Sequence, residues 1–227
     1  MAKRSYRKKS KIQPAVQRLT YLDPLNFIVP AGSSATFYID LSQSCSQANR
    51  RFYRQGINWA VAGLKVASAS GTTASISVKK VPNTWVSSNA WEKAFRSWQK
   101  QQNEALEEGG NQSMKARFND FKVFADVGHV AAGFAANLLP LGTTGGTWEP
   151  SKIVLPNVNP DGTGSTVEPA QRFLHMVGVN VNGASSRGII EGYADSRAVP
   201  QSPDPVGADV GTADNWMARM FDVGNDM

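Results

Sequence analysis

Apolar and polar residues alternate in short runs over much of the chain, and the period of that alternation predicts its elements. In TFYIDLS (36–42), Phe37, Ile39 and Leu41 fall on one side and Tyr38 and Asp40 on the other. A period of two marks a half-buried strand. INWAVAGLKVASA (57–69) is apolar and then alternating, GTT (71–73) reads as a turn, and ASISVKKV (74–81) puts Ala74, Ile76 and Val78 on one face before Pro82 ends it. FKVFADV (121–127) and RFLHMVGVNV (172–181) read as strands, the second with Phe173, His175, Val177, Val179 and Val181 on one side. RGIIEGYA (187–194) is a further candidate strand, and the Gly- and Ala-rich HVAAGFAANLL (129–139) carries a weaker signal. A loop of Gly, Thr, Pro and Asn over 140–168 is broken by the short apolar run KIVLP.

One long segment follows a different period. In SSNAWEKAFRSWQKQQNEALEEGG (87–110), Trp91, Ala94, Phe95, Trp98, Ala105 and Leu106 fall close to one helical stripe. Asn89 with Glu92 three residues on forms a capping pair, and Gly109 is the stop. A Pro/Asp/Gly-rich stretch (200–211) precedes a short amphipathic turn, NWMARMF, capped by Thr212 or Asp214. Many short strands, one inserted helix and long turn-rich connections predict an all-β fold, a sandwich or barrel with no closing strand after the final turn.

Length and composition fit one domain with appendages: 227 residues, 41% hydrophobic and 19% charged, enough to bury a core. The formal charge of +6 is unevenly spread. Before Asp23 there is no acid, while Lys3, Arg4, Arg7, Lys8, Lys9, Lys11 and Arg18 give +7, which leaves 17 basic and 18 acidic residues, −1, for the remainder. Residues 1–14 (MAKRSYRKKSKIQP) are too polar and self-repelling to fold alone. The expected organisation is therefore a disordered basic arm over 1–14 and a folded body over 15–227.

Candidate chemistry is sparse. A single cysteine, Cys45, excludes an intramolecular disulfide framework and reads as a small buried hydrophobe. Asp126 and His129 are spaced like a helical metal pair, but in a strand-turn-strand they point to opposite faces. His175 shares an apolar strand face with Val177 and Val179 and reads as a core or interface histidine. LGTTGGTW (141–148) is glycine-rich yet lacks the GKS/T ending of a phosphate loop. Glu104, Glu107 and Glu108 crowd one end of the long helix and read as a solvated surface. No nucleophile elbow, kinase or dinucleotide signature occurs, so the expectation is a non-enzyme without metal or cofactor. No apolar run approaches the ~20 residues of a membrane helix, and the basic leader lacks the apolar stretch of a secretory signal. An intracellular, membrane-free protein is expected.

The basic arm is the strongest functional signal. About six positive charges on a flexible chain can neutralise a similar number of phosphates, with counterion release supplying affinity without sequence reading. The same KRSYRKKSK would serve as a nuclear import address or a solubilising tail. RRFYR (50–54) is a second basic patch in which Arg50, Arg51 and Arg54 flank Phe52 and Tyr53. Two readings stand equal there, phosphate pairing with base stacking on single strands, or a strand whose aromatics pack inward while the arginines line a surface, and both hold if the patch faces the inside of a shell. Three of the six tryptophans, Trp85, Trp91 and Trp98, cluster around the helix as anchors for a core or for subunit contacts.

RRFYRQGINWAVAG (50–63), KVPNTWVSSNAWEKAFRSWQ (80–99), FNDFKVFAD (118–126) and IIEGYADSR (189–197) resemble the capsid proteins of small circular single-stranded DNA viruses that encode a replication-initiator protein. The likeness covers most of the body and is densest between Arg50 and Asp126, with NTWVSSNAWEKAFRSW its most specific piece. The resemblance implies a jelly-roll sandwich, self-assembly of many copies into an icosahedral shell, and binding of the genome, single-stranded DNA, by the arm residues Lys3, Arg4, Arg7, Lys8, Lys9 and Lys11. It implies a virion protein with passage through the host nucleus during assembly, and it supplies no catalytic residue. Relatives continue beyond the position of Met227, so the sandwich is expected to be incomplete at that end. The rival reading is a non-enzymatic module that binds single-stranded nucleic acid.

Overall fold

A computed structural model describes residues 17–21, 29–30, 32–67, 71, 73–116, 118–143, 148–155, 170–178, 186–197 and 217. Within them the architecture is mixed. Four helices, α1 (Leu41–Asn49), α2 (Trp85–Glu108), α3 (Val127–Ala132) and α4 (Ile189–Arg197), accompany a single small sheet of four strands. Its strands are β1 (Phe124–Asp126), β2 (Lys152–Leu155), β3 (Ala170–Val177) and β4 (Ser186–Gly188). The all-β jelly-roll expectation is thereby corrected. The arm itself, and most of NWMARMF, lie outside the described residues.

Helix caps explain much of the correction. Asp40 is not an outward strand residue: its carboxylate accepts from Ser42 N at 2.8 Å and Gln43 N at 3.3 Å, and so starts α1. A carboxylate satisfying two free N–H groups at a helix start outweighs a three-residue alternation. The α1 segment is polar, yet Ser42, Gln43, Ser44 and Cys45 are buried. Asp126 repeats the device by accepting His129 N at 2.7 Å, which turns the expected strand-turn-strand at 121–139 into β1, α3 and a 3₁₀ turn, Phe134–Ala136. In RGIIEGYA only Arg187 and Gly188 belong to a strand. From Ile189 the buried residues Ile189, Gly192 and Ser196 recur at helical spacing.

α2 forms as its stripe predicts, but it begins earlier than Asn89. Thr84 is the cap, its hydroxyl accepting from Ser87 N at 3.3 Å, and Gly109 closes the far end. Its inner face places Ala90 and Ala94 in the core with Phe121, Val123, Ile153, Leu174, Met176, Ile189 and Met217. The two alanines let α2 approach the sheet closely, while Trp91, Phe95 and Trp98 pack around Phe121 at centroid distances of 5.5, 5.7 and 5.4 Å.

β3 is the spine of the sheet. It runs parallel to β1 (Phe124↔His175, Asp126↔Val177) and to β4 (Phe173↔Ser186, His175↔Gly188), and antiparallel to β2 (Lys152↔Phe173 through Leu155↔Ala170). It is buried on both faces: Leu174 and Met176 enter the core, and His175 is fully buried on the other side. That differs from the one-sided alternation read over 172–181, since a central strand covered by helices needs no polar face. Gln101 of α2 closes the outer edge of β2, donating from Nε2 to Val154 O at 2.7 Å and accepting Val154 N at 3.2 Å. Residues 57–67 and 74–81 carry strand patterns but pair with no described residue. Among the described residues no helix is long and apolar enough to cross a membrane.

Candidate nucleic-acid interface

The arginine patch is built by the end of α1. Arg50 N donates to Gln47 O at 3.3 Å and Arg51 N to Ser46 O at 3.1 Å, the bond pair that closes a helix through a left-handed residue. That residue is Arg50 itself, at φ 52° and ψ 36°, the only non-glycine with positive φ among the described residues. The chain then folds back along the helix it has just left. Ser46 Oγ accepts Tyr53 N at 2.8 Å, and Ser42 Oγ donates to Arg54 O at 3.1 Å and accepts Trp59 Nε1 at 3.1 Å. Gln55 locks the segment to β1's approach: its side chain accepts Val123 N at 2.7 Å and donates to Asp40 Oδ2 at 2.7 Å. Asp40 Oδ2 also accepts Trp148 Nε1 at 3.1 Å, so one carboxylate ties α1, residue 55 and the 148 loop together.

Phe52 and Tyr53 are turned inward. Phe52 lies 5.9 Å from Phe118 and 6.1 Å from Trp148, and Tyr53 meets Trp59 edge-on at 5.6 Å. Other rings pack against both aromatic side chains, each of which is half-buried. The arginines are outward and exposed. Arg51 sits over the Tyr53 ring at 5.9 Å and Arg54 over Trp91 at 5.8 Å. A ring beneath a guanidinium restrains it without consuming its N–H donors, which remain able to grip phosphate oxygens bidentately. Among the described residues none of the three pairs with a carboxylate. Gly56, at φ +79°, makes the arrangement possible, because a Cβ there would stand 2.9 Å from Trp91.

Lys3, Arg4, Arg7, Lys8, Lys9 and Lys11 lie outside the described residues, so the proposed arm contacts have no geometry here. Beside Arg54 the structure places Trp91, read from sequence as an anchor for a core or for subunit contacts, in a supporting role, and beside Phe52 it places Trp148. Their distance in sequence hid that role; only the spacing of aromatic residues hinted at it.

The remaining chemical candidates resolve into structural roles. His129 is buried with both ring nitrogens engaged: Nδ1 accepts Ala125 N at 3.1 Å, so Nε2 carries the proton and donates to Asn137 Oδ1 at 2.6 Å. Asn137 passes the chain on to Gln43 Oε1 at 2.9 Å, and Tyr38 stacks on the imidazole at 4.2 Å. Burial pushes the His129 pKa below its ordinary value, partly countered by Asn137, Asp126 and Asp40. The Asp126–His129 pair is thus a helix cap and its anchor. No group of three or more His, Cys, Asp or Glu residues that could hold a metal occurs among the described residues. Cys45 is buried, and burial, with the Asp40 charge behind it, raises its thiol pKa and keeps it protonated. An open depression of about 480 Å³ beside Trp98, Asp120, Lys122 and Glu149 is mixed in charge, with Lys122 held by Asp120 and lying 4.6 Å from the Trp148 ring.

Comparison with protein-family profiles, with curated proteins and with solved structures gives no match.

Proposed function

We propose that this protein is a non-enzymatic, self-associating coat subunit that holds nucleic acid through sequence-independent phosphate contacts. The observation that carries the reading is the separation of charge. All excess positive charge precedes Asp23, and the body adds one exposed cluster, Arg50, Arg51 and Arg54, free of acidic partners among the described residues. Guanidinium groups directed to solvent, those of Arg51 and Arg54 over rings, suit phosphate gripping. The arm would add about six mobile cations to this fixed patch. The resemblance of residues 50–126 to capsid proteins of small circular single-stranded DNA viruses supports a shell of many copies, with single-stranded DNA as the packaged polymer. Repulsion between the arms opposes assembly of the empty shell, and nucleic acid relieves it.

The test compares the full chain with a variant lacking residues 1–14 and with Arg50→Ala/Arg51→Ala/Arg54→Ala. Electron microscopy and light scattering of the full chain are expected to show large closed particles. A monomer or small oligomer that still binds single strands would replace the shell reading with a single-strand-binding module. Loss of the arm is expected to flatten the log–log salt dependence of binding by roughly 4, at ~0.7 per phosphate contact. Retention of nucleic acid by the truncated chain equal to that of the full chain would remove the arm from the account.

A further inference from the structure

Of the seven basic residues before Asp23, Arg18 alone is among the described residues. It is exposed, and its segment, 17–21, is pinned to the body at both ends. At one end the side-chain amides of Gln17 and Asn49 bond each other reciprocally. Gln17 Nε2 donates to Asn49 Oδ1 at 3.3 Å, and Asn49 Nδ2 donates to Gln17 Oε1 at 3.1 Å. At the other end Leu141 N donates to Thr20 O at 2.8 Å, and Tyr21 bridges to Pro140. Thr143 Oγ1 lies 3.3 Å from Gln47 Oε1 of α1, which closes the corner. Each amide of the reciprocal pair is followed in the chain by an arginine, Arg18 after Gln17 and Arg50 after Asn49. The pair therefore brings Arg18 to the end of α1, where Arg50, Arg51 and Arg54 stand exposed.

Charge identifies what this corner holds. The three segments that build it, 17–21, 41–54 and 138–143, contain four arginines and no acid. Asp40, which starts α1, has both carboxylate oxygens committed: Oδ1 caps the helix, and Oδ2 accepts Gln55 Nε2 and Trp148 Nε1. Among the described residues none of the four arginines forms an ion pair. Guanidinium groups gathered on one corner repel one another, and a polyanion laid across them relieves that repulsion. A lone carboxylate or phosphate engages one or two such groups. A chain of phosphates can engage all four, with no pocket and no reading of bases.

We infer that Arg18 joins Arg50, Arg51 and Arg54 in one phosphate-binding surface crossed by a single nucleic-acid strand, and that the Gln17–Asn49 amide pair sets Arg18 there. Arg18 is a further contact residue, while Gln17 and Asn49 are positioning residues that act through it. This inference rests on the reading of the protein as holding nucleic acid by phosphate contacts, and it adds which corner of the body meets the strand.

The experiment titrates a fluorescently labelled oligothymidylate with the full chain over a range of salt concentrations. Arg18→Ala is expected to lower affinity about fourfold at ~0.15 M salt and to flatten the log–log salt dependence by ~0.7, the share of one phosphate contact. Arg96→Ala removes an exposed charge already paired with Glu92 on α2 and is expected to change neither. Arg18→Ala/Arg51→Ala is expected to cost about fifteenfold, because contacts made at once on one strand multiply. Gln17→Ala/Asn49→Ala removes no charge, and in that background Arg18→Ala is expected to cost less than twofold. All of these side chains are exposed, and thermal melts verify that each variant keeps its fold. A full chain that binds no oligonucleotide defeats the phosphate-contact reading itself. Binding by the full chain, with Arg18→Ala no weaker than Arg96→Ala, overturns the inference alone. So does a double variant that loses no more than about fourfold, since two separate surfaces would then be at work. A full fourfold loss from Arg18→Ala after removal of the amide pair also overturns it, because Gln17 and Asn49 would have no part in placing the arginine.

Discussion

Arg50 occupies a left-handed backbone position, φ 52°, where the helix-closing bonds of α1 would favour glycine. A side chain there costs about 1 kcal/mol, and strain of this kind is retained where the side chain is needed. Arg50→Gly is therefore expected to raise the melting temperature by ~2–4 °C while weakening nucleic-acid binding. Thermal melts and a binding titration on the same sample check both; a lower melting temperature would remove the strain argument. His129 supplies the second prediction at this scale. Its Nδ1 accepts the Ala125 N–H, so protonation breaks a bond inside a buried network. The folded pKa lies below the ordinary 6.5, so the unfolded chain takes up the proton first as pH falls. Stability from this group is fully present above that ordinary value and is lost as pH drops through it toward the folded pKa, with a slope of up to ~1.4 kcal/mol per pH unit. His129→Gln is expected to melt lower at pH 7.5 and to lose part of the decline between pH 7 and 5. An equal decline in both proteins would move the acid sensitivity elsewhere.

At the scale of elements, β2 has only four residues and owes its edge to Gln101, whose amide stands in for a neighbouring strand by bonding both Val154 N and Val154 O. Removing it leaves one donor and one acceptor of the edge without those bonds and opens the edge to other chains. Gln101→Leu is expected to cost about 1–2 kcal/mol, seen as a lower melting temperature, and to raise turbidity on heating. A variant melting like the parent would show that water serves the edge equally well. The elements also differ in how openly the sequence announced them. α2 was legible because its stripe recurs from Trp91 to Leu106 and a glycine ends it, while its cap at Thr84 was missed because Asn89 and Glu92 imitate one further on. β2 and β3 fell where apolar runs lie. α4 was misread through the β-branched pair Ile189 and Ile190, although Ile189, Gly192 and Ser196 already held helical spacing. α1 had no apolar periodicity to read: its buried face is serine and glutamine, and hydrogen bonds to residues 53–59 and 137 make that burial tolerable.

For the whole molecule, the error in fold class came from counting alternation as pairing. Residues 57–69 and 74–81 alternate as strands do, yet over their described parts they remain exposed and without backbone partners among the described residues, while the sheet that does form uses short strands around β3. Period-two patterning states which face of a segment is apolar and leaves open what will cover it. The same limit holds at the arginine patch: RRFYR announced its chemistry, but what packs against its side chains depended on Phe118, Trp148, Trp59 and Trp91, which arrive from elsewhere in the chain. Sequence alone determined the separation of charge, the long helix and the identity of the basic residues, because each depends on neighbours in the chain. Tertiary structure alone decided that Asp40 and Asp126 cap helices, that Phe52 and Tyr53 pack inward, and that two strand-patterned stretches stay exposed. Those outcomes are set by contacts between distant residues, whose energies no local window contains.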